Sequence, residues 1–452
     1  MLFKTKFFLK KKAEQIRKFG IIFFVTKQFH LTVKLFSNFI YCILFLPLYF
    51  FLLILRPFIL IRISVIPTEK IGPFAILTGI YLSEKKVFQK KTLDIFYISK
   101  NICNLQLLNI FKKKIIIKSK TIIEPIDKIN NFLKYFFKFP TDHIILKKRR
   151  GSDYYNIVEK AKIKYEFNNE DKKLAEKNLE EMGLKNKKFV CLIVRDSKFT
   201  KKNFKNLKTS HNNFRNSEIN NFKLASKALS KRGMFVVRVG RDTKKKFLVN
   251  DKKIIDYSYS KYISDLMDIY LISKCEFLIS TGTGLDSVGF IFRKPICYIN
   301  SCPLAILQNS GSKNIVLTKR HFYKNKELSL KDIFDHKVAN ANNPGDYSRR
   351  KVLIKEHSPS QIKNTTLEMY YKIIKKNKPK KNQLKVQKKF KKVFLKNIFQ
   401  MVKKSDNSKI LNEQFNSIFV NNAEKGEFLP KEYVMSSNYS YSYLIKNNWW
   451  LN

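Results

Sequence analysis

The chain is poor in acid. Its 452 residues hold 35 Asp and Glu against 90 Lys and Arg, which leaves a formal net charge of +55. That balance does not suit cationic partners. An anionic partner is expected instead: a membrane surface, lipid phosphate, nucleotide or nucleic acid. No recognition helix, zinc-finger spacing or RNA-binding signature accompanies the charge, so nucleic acid is not expected. Lys, Ile, Asn and Phe are abundant together, a bias that also fits drift in the coding DNA and accounts for part of the excess. The six cysteines (Cys42, Cys103, Cys191, Cys275, Cys297 and Cys302) form no CxxC pair, and the six histidines are scattered. That excludes a disulfide framework and a zinc site as organising devices. Buried free thiols in a reducing compartment are expected, with no metal and no cofactor. Glycine (13) and proline (12) are too few for a low-complexity or collagen-like chain. With 44% hydrophobic residues, the length allows two ordinary domains and extensions.

Charge is also missing locally. Residues 1–34 are basic with Glu14 as their one acid, and residues 35–55 carry no charge. Twenty-one uncharged residues are enough for a helix to cross a hydrocarbon layer of about 30 Å. The basic start is too long for a signal peptide, and no small-residue cleavage site comes after it. Pro47 stands inside the run and would kink a helix. Basic residues flank both ends, so the positive-inside rule sets no orientation. The expectation is a kinked, re-entrant or interfacial segment. A single full crossing and an apolar helix packed on the protein body are the alternatives.

Strand–helix alternation organises the chain beyond residue 65. Leu93 to Ile98 and Ile115 to Ile117 read as short buried strands, after a turn at Ile71-Gly72-Pro73 that opens a helix through Tyr81. Asn169 to Met182 reads as a capped helix ended by Gly183. Strands are then expected over 189–194, 235–239, 276–280 and 295–299. Helices are expected over 219–232, 265–274 and 285–292. This pattern predicts an α/β fold with a parallel sheet covered on both faces, whose ligands lie beyond the carboxyl ends of the strands. Between Lys375 and Lys404 there are thirteen lysines and no acid, yet Val386, Phe390, Val393, Phe394, Ile398 and Met401 keep a helical stripe. Such a helix lies on anionic lipid or packs back across the first domain. The two tryptophans, Trp449 and Trp450, serve as an interfacial anchor or as a docked tail, the latter being favoured. The expected domains are 1–65, a basic start and hydrophobic membrane-associated segment; 66–168, an N-terminal Rossmann-like domain on the acceptor side; 169–186, a bridging helix; 187–330, a C-terminal Rossmann-like domain; and 331–452, a basic helical extension ending in the tryptophans.

Ser280-Thr281-Gly282-Thr283-Gly284-Leu285-Asp286-Ser287 joins an expected strand to an expected helix. A turn of that kind offers backbone N–H groups to an anion, and glycines admit it closely. The competing reading is a tight turn using Gly for positive φ. The spacing is neither the GxGxxG of a dinucleotide fold nor a P-loop. Arg195, at a strand end beside Asp196, is suited to clamp phosphate, with Asp196 orienting it or acting as a base. Arg215 and the N–H groups near Asn216 and Ser217 offer a second anion contact, and His211 has the intrinsic pKa for proton transfer near neutrality. Arg238 ends the next strand on the same rim. Asp265 and Asp268 lie one helical turn apart and suit ribose or sugar hydroxyls, or simple capping. No D-x-D motif occurs, so the usual carboxylate pair for a metal-held diphosphate is missing, and neutralisation by Arg, Lys and helix N-termini is expected instead.

Together these segments resemble a family of bacterial glycosyltransferases with a GT-B-like two-domain plan. The matching residues are Ile71-Gly72, Tyr81-Leu82-Ser83-Glu84, Val190-Cys191, Val194-Arg195-Asp196-Ser197, Phe214-Arg215-Asn216-Ser217, Val237-Arg238-Val239-Gly240 and the long run from Ser264-Asp265 through Ser287 to Lys294-Pro295. The likeness spans roughly residues 68–330. Two positions depart from it: the family pattern often has a His where this chain has Ile193, and another where it has Pro73. The resemblance implies two Rossmann-like domains. It also implies transfer of a sugar from a nucleotide diphosphate donor to a surface-polysaccharide or lipid-linked glycan acceptor, without metal. Arg195, Arg215, Arg238, Ser280, Thr281, Gly282, Thr283, Gly284 and Asp265 would bind the donor, and His211 or Asp196 would be the base. A nucleotide-sugar enzyme of this kind works at the cytoplasmic face of the inner membrane, with the anionic membrane surface as a partner. The rival reading is a non-catalytic membrane-peripheral binding protein on the same scaffold.

Overall fold

The computed structural model describes residues 21–88, 92–99, 101–137, 153, 156–203, 213–306, 311–341, 343–403 and 435–452. The chain divides into two compact units. One comprises residues 1–66, 91–99 and 115–146; the other comprises 67–90, 100–114 and 147–452.

The first unit holds a three-stranded parallel sheet, β1 (Ile61–Ile66), β2 (Leu93–Ile98) and β3 (Ile116–Ile117), in that order. β1 and β2 mix buried and half-buried positions. Arg62 and Asp94 face each other across them in a two-pronged ion pair at 2.7 and 2.8 Å. The helix Lys120–Phe137 lies on the sheet, and Tyr97 donates its hydroxyl to Asp127 of that helix at 2.8 Å. The core joins Ile61, Ile63 and Tyr97 of the sheet to Ile123, Ile126 and Ile129 of this helix, and to Tyr49 and Leu52 of the helix Ile21–Leu55.

The uncharged run 35–55 is helical. It forms the last part of that 35-residue helix, which continues through Pro47. One side of its final turns is committed to protein, with Tyr49 and Leu52 buried in the core. Among the described residues no helix is long and apolar enough to cross a membrane. The opposite side of the helix stays exposed.

The second unit is built on seven strands. β4 (Phe189–Ile193), β5 (Phe235–Arg238), β6 (Ile254–Asp256), β7 (Leu278–Ser280), β8 (Ile296–Ser301) and β9 (Ile315–Thr318) are joined at one edge by β13 (Asn438–Tyr439). The spatial order is β13-β9-β8-β7-β4-β5-β6, and every pair is parallel. β4 and β7 are buried at every position, as strands covered on both faces must be. From β4 onward the chain builds outward to β6, returns to the other side of β4, and builds outward again to β9. This is the doubly wound Rossmann order, whose direction reverses between β4 and β7. The expected helix 219–232 forms as a tight turn, Ile219–Phe222, continued by the helix Lys223–Ser230. The helix Asp265–Lys274 starts on Ser264, whose side chain accepts the N–H of Met267. A small antiparallel sheet, β11-β10-β12 (Lys326–Glu327, Arg320–Tyr323, Val352–Lys355), was not anticipated from the pattern.

The lysine-rich helix Lys381–Lys403 packs within this second unit. Phe390, Phe394 and Ile398 are buried, and the apolar stripe meets the tail rather than lipid. Trp450 stacks on Tyr439 and Phe390, and Gln387 closes two hydrogen bonds with the Tyr439 backbone at 2.6 and 3.0 Å.

Candidate functional site

The reversal point between β4 and β7 is where a doubly wound sheet opens a crevice at its carboxyl edge. Arg195 follows β4 there, and the 280–287 turn follows β7. The two are joined directly: the Arg195 N–H donates to Thr281 Oγ1 at 2.8 Å, and the Thr281 N–H donates to the carbonyl of Ile193 at 3.2 Å. Arg215 reaches the same turn and donates from Nη2 to the Gly282 carbonyl at 2.8 Å. Arg195, Arg215, Thr281 and Gly282 thus converge.

The turn is built differently from the expected amide cradle. The Gly282 N–H donates to Ser280 Oγ at 3.1 Å, the Thr283 N–H to Asp286 at 2.7 Å, and the Leu285 N–H to Thr283 Oγ1 at 3.2 Å. These groups are spent inside the turn. Gly282 has φ +79, which a side chain would strain. Gly284 serves a close approach: a Cβ there would stand 3.1 Å from the Gly72 nitrogen, and one on Gly72 would stand 3.0 Å from the Gly284 Cα. The start of the helix Ile71–Phe88 rests against the turn at a distance that two glycines alone permit.

Positive charge at the crevice comes from side chains. Burial and the neighbouring Arg215 push the Arg195 pKa down to about 10, with Asp286 and Asp196 opposing. Among the described residues, the Nε atoms of Arg195 and Arg215 are buried with no hydrogen-bond partner, as is the Ser217 hydroxyl. Lys319, just past β9, adds a third cation; its Nζ donates to the Asn216 carbonyl at 2.5 Å, and burial lowers its pKa. Against these stands Asp286. Its carboxylate accepts the Ser280 hydroxyl at 2.7 Å as well as the Thr283 N–H. Its complete burial raises its pKa to about 6, despite both arginines. Asp286 lay within the motif but was not singled out from the sequence. Its signal was the short polar residue that ties a turn at the start of a helix.

Beside Arg195 a cavity of about 260 Å³ is lined by Val194, Asp196, Ser217, Ile219, Arg238 and Glu356, among others. The Glu356 carboxylate accepts the N–H of Glu218 at 3.0 Å and the side chains of Asn221 at 3.0 Å and Asn300 at 3.3 Å. No local pattern could have joined residues so far apart. Asp196 spends both oxygens on backbone, one on the Lys198 N–H and one on the Lys244 N–H, each at 2.8 Å. Arg238 borders the cavity but donates to Asp256 at 3.2 Å and to the Lys245 carbonyl at 2.6 Å. Asp265 is held by Arg241 at 2.7 Å and by the Leu105 N–H at 2.6 Å; Arg241 also grips Asp268, whose pKa burial raises. Arg238 and Asp265 thus have protein partners where Arg195 and Arg215 keep open donors. His211 lies outside the described residues. Among the described residues, no group of three His, Cys, Asp or Glu side chains is placed to hold a metal ion.

With this geometry established, solved structures give the comparison. Its structural neighbours are GT-B glycosyltransferases and a UDP-GlcNAc 2-epimerase, all at low identity. The glycosyl transferase family 9 protein of Veillonella parvula matches 71% of this chain and 98% of its own, at 12% identity and a TM-score of 0.42. ADP-heptose LPS heptosyltransferase II of E. coli matches over 64% and 97%, at 11% identity and a TM-score of 0.36. UDP-GlcNAc 2-epimerase of Neisseria meningitidis, bound to UDP-GlcNAc, matches over 69% and 83%, at 13% identity and a TM-score of 0.24. No family model and no curated protein matches the chain. Likeness this distant leaves the chemistry to be argued from this chain's own residues.

Proposed function

We propose that the protein transfers a sugar from a nucleotide diphosphate donor to a surface-polysaccharide or lipid-linked glycan acceptor, without a metal ion. The observation that carries this reading is the pair Arg195 and Arg215. Both converge on the β7 turn with buried, unpartnered Nε donors. Two cations held close together are costly until an anion arrives, and a diphosphate supplies the opposing charge and the acceptor oxygens. Charge builds on the diphosphate as the glycosidic bond breaks, and guanidinium groups fixed beside it stabilise that change most. Thr281 and Gly282 hold the arginines in place, and the adjoining cavity suits the nucleoside. Arg238 and Asp265 shape the rim from behind. His211 is the remaining candidate for the base, since Asp196 is tied to two backbone N–H groups. In this reading the protein works at the cytoplasmic face of the inner membrane, where lipid-linked acceptors are at hand.

The test is a thermal-shift screen of UDP-, GDP- and TDP-sugars in the presence of EDTA. A donor at 100-fold over its Kd stabilises by about 2.7 kcal/mol, and Arg195→Ala and Arg215→Ala reduce the shift to about half or less. Release of the nucleoside diphosphate on adding a glycan acceptor separates transfer from mere binding. If no sugar nucleotide binds, or if both variants bind as the parent does, the reading fails.

A further inference from the structure

The helix Ile21–Leu55 carries a face left exposed among the described residues. Ile22, Phe29, Phe36, Ile40, Phe51 and Ile54 are exposed, Ile22 by 80%, Phe36 by 66% and Ile54 by 67%. Their spacing returns each to the same side of a helix at 3.6 residues per turn. Tyr49 and Leu52, on the opposite side, are the buried ones. At 1.5 Å per residue the helix is about 52 Å long. An apolar strip of that length far exceeds the scattered apolar exposure of an ordinary surface.

We propose that this face is a docking surface for a bilayer containing anionic lipid, with the helix lying in the interface rather than crossing it. Two features select this occupant. No Asp or Glu occurs between residues 15 and 68, a stretch that includes Arg17, Lys18, Lys27, Lys34 and Arg56. The chain's net charge of +55 opposes a second copy and favours an anionic surface. Apolar side chains on one helix face with basic residues nearby are what an interfacial helix requires. Nucleic acid would use the charge and leave the apolar strip in water.

A second basic element offers charge of its own. The helix Lys381–Lys403 buries its apolar stripe in the protein, so its exposed lysines Lys381, Lys385, Lys388, Lys392 and Lys396 meet headgroups by charge alone. Stable peripheral binding takes two such signals, one apolar and one electrostatic. The inference takes its setting from the membrane-facing part of the reading above and is independent of the donor chemistry.

The experiment is flotation of the full chain with phosphatidylcholine vesicles, with and without phosphatidylglycerol. Binding is expected only with phosphatidylglycerol present. The double change Phe36→Asp and Phe51→Asp, both at exposed positions, lowers binding about tenfold or more. Changing Lys385, Lys388, Lys392 and Lys396 to Gln lowers it about fivefold per lysine at low salt and lessens its salt dependence. Melting temperatures of the same variants, measured without donor, stay at the parental value. They show that the fold is intact and separate this result from any failure of the transferase reading. Vesicle binding indifferent to the two Phe changes overturns the proposal. So does a stable dimer that those changes dissolve, or binding to duplex DNA that exceeds binding to the vesicles.

Discussion

Arg238, at the end of β5, and Arg195, just past the end of the adjacent β4, belong to one edge of one parallel sheet. The sequence around them looks alike, each an arginine closing a run of aliphatic residues. Arg238 is almost fully buried and meets Asp256 and the Lys245 carbonyl. Arg195 is half-buried beside another arginine, and among the described residues its Nε has no hydrogen-bond partner. At β5 the sheet edge is closed by the protein's own groups. At the β4–β7 reversal it is left with cations in excess. The difference teaches that a basic residue at a strand end marks a site only where folding leaves its donors unsatisfied.

That contrast can be broken first by stability. Arg238→Ala leaves the Asp256 carboxylate without its buried cation and is expected to cost about 3–5 kcal/mol in denaturant unfolding. Arg195→Ala relieves repulsion with Arg215 and is expected to leave stability within about 1 kcal/mol, or to raise it. Equal losses in the two variants would erase the distinction. Ligand binding sharpens it next. Arg195→Ala and Arg215→Ala are each expected to weaken donor binding about 10–100-fold by calorimetry, the worth of a charge-assisted hydrogen bond of about 1.5–3 kcal/mol.

A third test uses pH. The Asp286 pKa is raised to about 6 in the fold, against about 3.9 in an unfolded chain. Between those values the folded state holds the extra proton, so this group's contribution to stability rises as pH falls from 7 towards 4, by about 2 kcal/mol. His321 and His357 act in the opposite sense. Burial lowers both to about 4, so stability from their neutral rings is lost as pH falls from about 6.5 towards 4. The Asp286 effect is therefore the difference between the parent and Asp286→Asn along a pH series of unfolding curves. Identical pH dependence in the two would show that Asp286 does not titrate in this range. The smallest effect is expected at Asp265. Asp265→Asn leaves Arg241 its bond to Asp268 and should change stability by less than about 1 kcal/mol, with donor affinity unaltered. A large loss of affinity would move the site outward from the reversal point to the rim.

The strand–helix alternation of residues 189–299 was legible because buried parallel strands are short aliphatic runs and their helices carry local caps. The convergence of Arg195 and Arg215 on the β7 turn followed from that topology. What stayed hidden is non-local. Nothing near Arg238 announces that Asp256 will neutralise it. The apolar stripe at Phe390, Phe394 and Ile398 has the same period whether it meets lipid or protein. The second glycine of the turn looks suited to a phosphate, and only Gly72, far away in sequence, shows why a side chain is excluded. Residues 35–55 have the composition of a crossing segment, and only the burial of Tyr49 and Leu52 reveals the side given to the protein.

The position of β13 has a consequence for synthesis. Its residues Asn438 and Tyr439 lie beside Ile315 and Val316 of β9, and Trp450, 3% exposed, seals the join. A nascent polypeptide leaving the ribosome presents β9 long before residue 438 emerges. Until then that strand offers its hydrogen-bonding groups to any passing chain. Production of the soluble protein should therefore depend on the final eighteen residues, 435–452, and a stop codon ahead of them should yield aggregates even though every residue of the arginine crevice is present.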